Sequence, residues 1–392
     1  MNKITNDIYW TGYIDWKLKN FHGYETPVGS TYNSYLIVDE EPTLIDTVKH
    51  YGVDDMLALI REVIDPAKIK YIISNHTEMD HSGSIEKLLQ FCPNAQVVCS
   101  PKGAEELKRH FKKNWNFKVV NTGDELKIGK RTLKFFLMPM VHWPDSMATY
   151  SPSDKILFPN DAFGQHRASN ERYVDEVGFD VVLEDAAKYY ANIVMPYGGQ
   201  VLKALEILAP LAIDMIAPSH GLIWRRKQDI EKIVQLYQKW ANFEADKKAL
   251  IVYDTMWHST EAMAQKLEAF LKDAKISVKT VSLQQKHISD IVTDVMSSKV
   301  VCFGTPILNN RMLPTMAALL MYLKGLKTKN KYAFTFGSYG WATVGFKEVE
   351  TFVQEAGFQL LADGKYIPFV PDEAELNALS ALVPIIKEKI GK

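Results

Sequence analysis

The stretch KYIISNHTEMDHSG (70–83) begins as an apolar strand and ends as a cluster of metal-type ligands. KYIIS (70–74) is a short, buried-type strand pattern. Directly after it, His76, Glu78, Asp80 and His81 place two imidazoles and two carboxylates within six residues. A lone His or Asp at a strand end is more often a cap or a turn former. Four together point to a metal site.

Working outward, apolar strand candidates recur with an acid or a His at or just beyond their C-terminal ends. LKFFLMPMV (133–141) precedes His142, KILFPN (155–160) precedes Asp161, and MIAPS (215–219) precedes His220. Strand ends on one side of a sheet lie near each other, so loops there can pool their side chains. Seven candidate ligands suit two ions rather than one, with a carboxylate such as Asp161 as a bridge. Helical spacing in DDMLALIREVI (54–64), SIEKLLQFC (84–92) and AEELKRHF (104–111) alternates with these strands. DIYWTGYI (7–14), NSYLIVD (33–39) and TLIDT (43–47) also read as strands, the last two as a hairpin around EEP.

The totals exclude several classes. A chain of 392 residues suggests two or three domains at roughly 100–200 residues each. The 46 Lys+Arg nearly cancel the 47 Asp+Glu, so net charge predicts no attraction to nucleic acid or anionic membrane. MNKITNDIYW (1–10) has no apolar core of a secretory signal, and no apolar run could span a bilayer. The three cysteines, Cys92, Cys99 and Cys302, form no CxxC pair, which predicts a reducing cytoplasm.

QDIEKIVQLYQKWANF (228–243) reads as a long helix, and the polar EADKK (244–248) after it marks the expected boundary between domains 1–247 and 248–392. Beyond it ALIVYD (249–254), SVKTVSL (277–283), KVVCFGT (299–305) and KYAFTFG (331–337) read as strands with helices between, implying βαβ units on a parallel sheet. The loop TMWHST (255–260) joins a strand to a helix without GxGxxG or GxxxxGK[ST], so dinucleotide and P-loop readings fail. The hydroxyls of Thr255, Ser259 and Thr260, with the first N–H groups of the helix, can still hold a phosphate. Taken alone, such a cluster is usually just an N-cap.

Several resemblances add to this reading. The HxExDH loop with the later His, Asp and His resembles the metallo-β-lactamase superfamily over most of residues 1–243, except that Glu78 stands where a His is usual. A hard carboxylate there moves the site from zinc toward iron or manganese. TMWHST resembles the phosphate loop of flavodoxins, with His258 in place of the usual Gly. That resemblance implies an FMN site built from Thr255, Met256, Trp257, His258, Ser259 and Thr260, from Pro306, Ile307, Leu308, Asn309 and Asn310, and from Ser338, Tyr339, Gly340 and Trp341. The expected fold is α/β, with an N-terminal metallo-β-lactamase-like αββα sandwich and a C-terminal flavodoxin-like doubly wound parallel sheet.

Together the two halves resemble the flavodiiron proteins across essentially the whole chain. The resemblance implies His76, Glu78, His142 and Asp161 at one iron, and Asp80, His81, Asp161 and His220 at the other. It implies reduction of O2 to water or of NO to N2O, with FMN relaying electrons in a head-to-tail homodimer or dimer of dimers. Without paired CxxC ligands for a fused rubredoxin, the expected donor is external: a rubredoxin-like protein or a reduced deazaflavin. His22 and Tyr190 are expected to line the iron pocket, and His166 to serve a turn or a structural hydrogen bond. A zinc hydrolase with a fused flavodoxin-like module is the competing expectation; a pure electron carrier with a vestigial metal site is a weaker one.

Overall fold

A computed structural model describes residues 2–391 and divides the chain into two compact units. Among these residues, one unit comprises 2–189 and 197–238, and the other 190–196 and 239–391. The division falls inside the helix Lys227–Ala241, earlier than the polar segment EADKK suggests. The last three residues of EADKK are drawn into a strand, Asp246–Tyr253, where Asp246 pairs across to Ser298 and is held by Lys239.

The first unit is a sandwich of a seven-stranded and a five-stranded sheet. The strand Tyr71–Ser74 lies inside the seven-stranded sheet, parallel to Thr43–Ile45 on one side and to Gln96–Cys99 on the other. Successive side chains of a strand point to opposite faces. Ile73 therefore enters the core between the two sheets, with Ile45, Val98, Phe135, Ile156 and Phe158. Ile72 packs on the outer face against Met56, Leu57 and Ile60 of the helix Val53–Arg61 and Leu107 of the helix Pro101–Phe111. Both faces are covered, which is why KYIIS shows no polar alternation.

The segment DIYWTGYI forms two strands, Ile8–Trp10 and Tyr13–Asp15, in different sheets. Gly12 sits at the break, where a Cβ would collide with the Tyr32 carbonyl and the Trp10 ring. Met147–Ser151, absent from the sequence reading, is the central strand of the smaller sheet. It is buried throughout, and its MATYS lacks the apolar signature of a core strand.

The second unit is an all-parallel sheet in the order Ser277–Ser282, Asp246–Tyr253, Ser298–Gly304, Lys331–Tyr339, with Phe358–Leu360 and Lys365–Pro368 both pairing the last of these. Strand order 2-1-3-4-5 is the flavodoxin-like doubly wound arrangement, whose ligand crevice lies beyond the carboxyl ends of the strands.

Candidate metal centre and flavin pocket

The seven ligands expected from sequence converge, and they come from the ends of strands in both sheets rather than one. In one group, ligand atoms of His76, Glu78, His142 and Asp161 all lie within 4.8 Å of one another; in the other, those of Asp80, His81 and His220 do. Asp161 faces both. Its Oδ2 is 3.1 Å from His142 Nε2 and 3.6 Å from His76 Nε2, while its Oδ1 is 3.0 Å from His81 Nε2 and 3.5 Å from His220 Nε2. One carboxylate thus presents an oxygen to each group, the arrangement of a bridging ligand.

Local structure aims these atoms inward. Glu78 directly precedes the short helix Met79–Ser82, whose single turn carries Asp80 and His81. His76 Nδ1 meets both oxygens of Asp145 at 3.0–3.1 Å, and Thr77 N donates to the same carboxylate at 2.7 Å. His220 Nδ1 donates to the Thr31 carbonyl at 2.7 Å. Both rings are thereby held with Nε2 toward the centre, the outer hydrogen bond fixing the tautomer. Gly221 follows at φ +75°, where a side chain would strike Gln165. The chain can therefore turn away directly after the ligand.

The electrostatics suit cations. Burial alone would lower the imidazole of His81, but Asp80 and Asp161 reverse this and raise it to about 9. His76 is likewise raised against its burial, chiefly by Asp145. Burial opposes ionisation of Asp161, yet His81 and His142 hold it well below the usual carboxylate range. His76 Nε2, both carboxylate oxygens of Asp80 and both ring nitrogens of His81 are buried and make no hydrogen bond. Buried polar atoms left so are costly unless something else engages them. Metal ions fit that donor set, and mixed imidazole and carboxylate donors suit iron.

Around the cluster, His22 Nε2 lies 3.3 Å from Glu78 Oε1, with 75% of its side chain exposed. His166 is buried, 2.8 Å from Ser30 Oγ through Nδ1, and its ring centre is 4.7 Å from that of His220. Burial and the neighbouring His220 hold it neutral. Tyr190, the tyrosine expected at the iron pocket, packs its ring at 5.1 Å on Trp240 within the second unit. Tyr189 is the residue beside the ligands, with its ring centre 5.9 Å from that of His220. In KYYANI the two tyrosines are adjacent, and helical phase alone separates them. Asp145 also went unassigned from sequence. Its signal was an acid in HWPDSM (142–147), three residues past the candidate ligand His142.

In the second unit the predicted loops enclose a pocket of about 690 Å³. Met256, Trp257, Ser259, Ile307, Leu308, Asn309, Asn310, Ser338, Tyr339, Gly340 and Trp341 line it, joined by Ala342, Phe369 and Val370, which sequence reasoning missed. Phe369 and Val370 follow the strand Lys365–Pro368, which has no apolar run to announce it. Thr255, Thr260 and Pro306 are buried and do not line the pocket. The Thr255 hydroxyl is buried without a hydrogen bond, beside the N-terminus of the helix Ser259–Asp273. Asp254 braces the loop, accepting from Thr255 N and Gln284 Nε2 at 2.7 Å and from Thr315 Oγ1. His258 adopts φ 64°, the left-handed conformation that its replacement of a glycine anticipates. Its Nδ1 lies 2.6 Å from Glu261 Oε2. A hydroxyl-lined helix N-terminus next to the open faces of Trp257 and Trp341 (86% and 92% exposed) fits a phosphate joined to a flat ring system.

Residues 31–221 match the ODP family beta lactamase, and residues 251–380 match flavodoxin. A nitric oxide reductase of Moorella thermoacetica is 41% identical over 380 residues, covering 95% of each chain. The structure of a rubredoxin:oxygen oxidoreductase from Desulfovibrio gigas superimposes with a TM-score of 0.97 at 38% identity, over 100% of this chain and 98% of that one. The flavodiiron protein of Giardia intestinalis gives 0.96 at 35% identity, over 100% and 97%.

Proposed function

This chain belongs to the flavodiiron proteins, and from that premise we infer how its two sites work. It is an oxidoreductase that reduces O2 and/or NO, with FMN and a di-iron centre as cofactors. The iron pair, when bound, supplies binding and reduction of the diatomic, and the flavin supplies stored electrons. The zinc-hydrolase alternative loses its ground, since the relatives that match both halves are named as a nitric oxide reductase and a rubredoxin-oxygen oxidoreductase.

We assign His76, Glu78, His142 and Asp161 to one iron and Asp80, His81, Asp161 and His220 to the other. The observation that carries this is the pair of Asp161 oxygens, each facing one group. Asp145 and the Thr31 carbonyl hold the His76 and His220 rings, keeping Nε2 free to coordinate. His22, exposed and 3.3 Å from Glu78, is placed to give a proton from Nε2 at the pocket mouth. Tyr189 closes the buried side beside His220 and excludes water there. We assign the lining of the 690 Å³ pocket to the flavin, with Thr255 and the helix start toward its phosphate.

We further propose a rubredoxin-type donor, supported by a relative named rubredoxin-oxygen oxidoreductase, with a reduced deazaflavin as the alternative donor. A head-to-tail homodimer or dimer of dimers would bring the open flavin pocket of one subunit to the metal centre of another. Exposed Trp257, Trp341, Phe369 and Val370 around the pocket supply apolar surface for such a contact. A cytoplasmic location rests on three unpaired, buried cysteines. No helix among the described residues is long and apolar enough to cross a membrane. Consumption of NO and of O2 by the loaded protein, measured anaerobically and aerobically with the same reduced rubredoxin, tests the reading. Turnover of at least one is expected, and turnover of neither would refute it.

A further inference from the structure

A line of tyrosines leads away from the cluster, and the reading above leaves it without a role. Buried Tyr32 has its ring centre 5.7 Å from that of His220. The Tyr51 ring lies 6.4 Å beyond, and Tyr13 meets both, stacked on Tyr32 at 6.5 Å and edge-on to Tyr51 at 5.8 Å. Tyr51 is 45% exposed, so the rings run from a cluster imidazole to solvent. Phenylalanine would pack as well. What packing does not require is the hydroxyl chemistry: Tyr32 OH is 3.4 Å from Tyr51 OH, and Tyr51 OH donates to Oδ2 of Asp15, which is 4% exposed. Backbone N–H groups of Lys17 and Leu18 bind the other Asp15 oxygen at 3.1 Å and hold the carboxylate in place.

We propose that Tyr32 and Tyr51, with Asp15 as proton acceptor, form an exit for oxidising equivalents from the metal centre. The proposal rests on the di-iron reading above. Its occasion is oxidation of the metal pair by a hydroperoxide or O2 when the flavin has no electron to give. Tyr51 then loses one electron, which passes through Tyr32 and reduces the oxidised pair by one equivalent. The Tyr51 O–H bond breaks, its proton goes to Asp15 Oδ2, and a neutral tyrosyl radical remains at the surface. A soluble thiol returns one hydrogen atom to the Tyr51 oxygen, its S–H bond breaking to leave a thiyl radical in solution, and Asp15 releases its proton to water. The damage is thereby moved from a buried ligand to an exposed, repairable ring.

Two features favour proton loss together with the electron. Burial and the Asp15 hydrogen bond push the Tyr51 hydroxyl up to about 12, so it is protonated at neutral pH. The Lys49 ammonium lies 5.4 Å from the Tyr51 ring centre and 5.7 Å from that of Tyr32, and disfavours a second positive charge there.

The test uses iron- and FMN-loaded protein, oxidised in air without donor, mixed with hydrogen peroxide and freeze-quenched for electron paramagnetic resonance. A tyrosyl radical is expected in the natural protein and is lost in Tyr51→Phe and Tyr32→Phe. Asp15→Asn, which can still accept the hydrogen bond but takes no proton, diminishes it. Tyr51→Phe keeps its iron, its FMN and its donor-fed turnover. A radical of undiminished intensity in Tyr51→Phe overturns the route, as does the absence of any tyrosyl radical in protein with intact iron and turnover. Protein that holds no iron overturns both the route and the reading beneath it.

Discussion

The two sites are built on opposite plans. The metal cluster is buried and over-determined: each ligand is a charged or titratable side chain, and several are gripped by a second residue. The flavin pocket is open, lined largely by apolar side chains and loop backbone, with its largest rings facing solvent. A site made of specific side chains should fail when one atom changes. A site made of surface and backbone should weaken by degrees.

The largest effect is expected at Asp161, where one side chain serves both groups. Asp161→Ala should remove iron and lower turnover by more than about 100-fold, since even outer-shell losses at metal sites cost roughly 10–100-fold. FMN absorbance should stay unchanged. Iron retained at the natural level would break the comparison from the metal side.

Next is Asp145, which touches His76 without being a ligand itself. Asp145→Asn keeps a hydrogen-bond acceptor but loses the charge, and should weaken iron retention against a chelator by about 10–100-fold. Titration with a chelator of graded strength measures this, and flavin binding serves as the internal control.

At the flavin pocket, Trp341→Ala should weaken FMN binding by about two- to tenfold, a loss of roughly 0.5–1.5 kcal/mol from one aromatic face. Iron content should not change. A complete loss of flavin would show that the pocket, too, hangs on a single residue. The smallest effect is expected at His258. His258→Gly removes a left-handed strain of about 1–2 kcal/mol, offset by added chain entropy and the lost Glu261 contact, so stability should move by less than about 1 kcal/mol. His258→Val should destabilise by the excess of a β-branched residue over His in the left-handed region together with the lost Glu261 contact, measurable by thermal unfolding.

The same contrast explains what was legible in the sequence. Ligands announce themselves because HxExDH and three acid- or His-tipped strands have few other uses, and all seven meet in the structure. Runs such as ALIVYD with helices between them pointed to βαβ units on a parallel sheet, while the αββα and doubly wound architectures followed from the family resemblances carried by HxExDH and TMWHST. The fully buried but polar-looking MATYS strand showed no such sign, because its neighbours rather than its composition make it a core strand. Tyr190 was expected where Tyr189 stands, since a one-residue helical phase is set by packing that the sequence does not display. Phe369 and Val370 escaped because a pocket needs only apolar area, which many residues can offer.

The central claim is a pair of irons bridged by Asp161. Mössbauer spectroscopy of protein loaded with iron-57 tests it most directly. The account predicts two irons per chain, exchange-coupled to a diamagnetic ground state when both are ferric, and loss of that coupled signal in Asp161→Ala. A single uncoupled iron, or a coupled pair that survives Asp161→Ala, would contradict it.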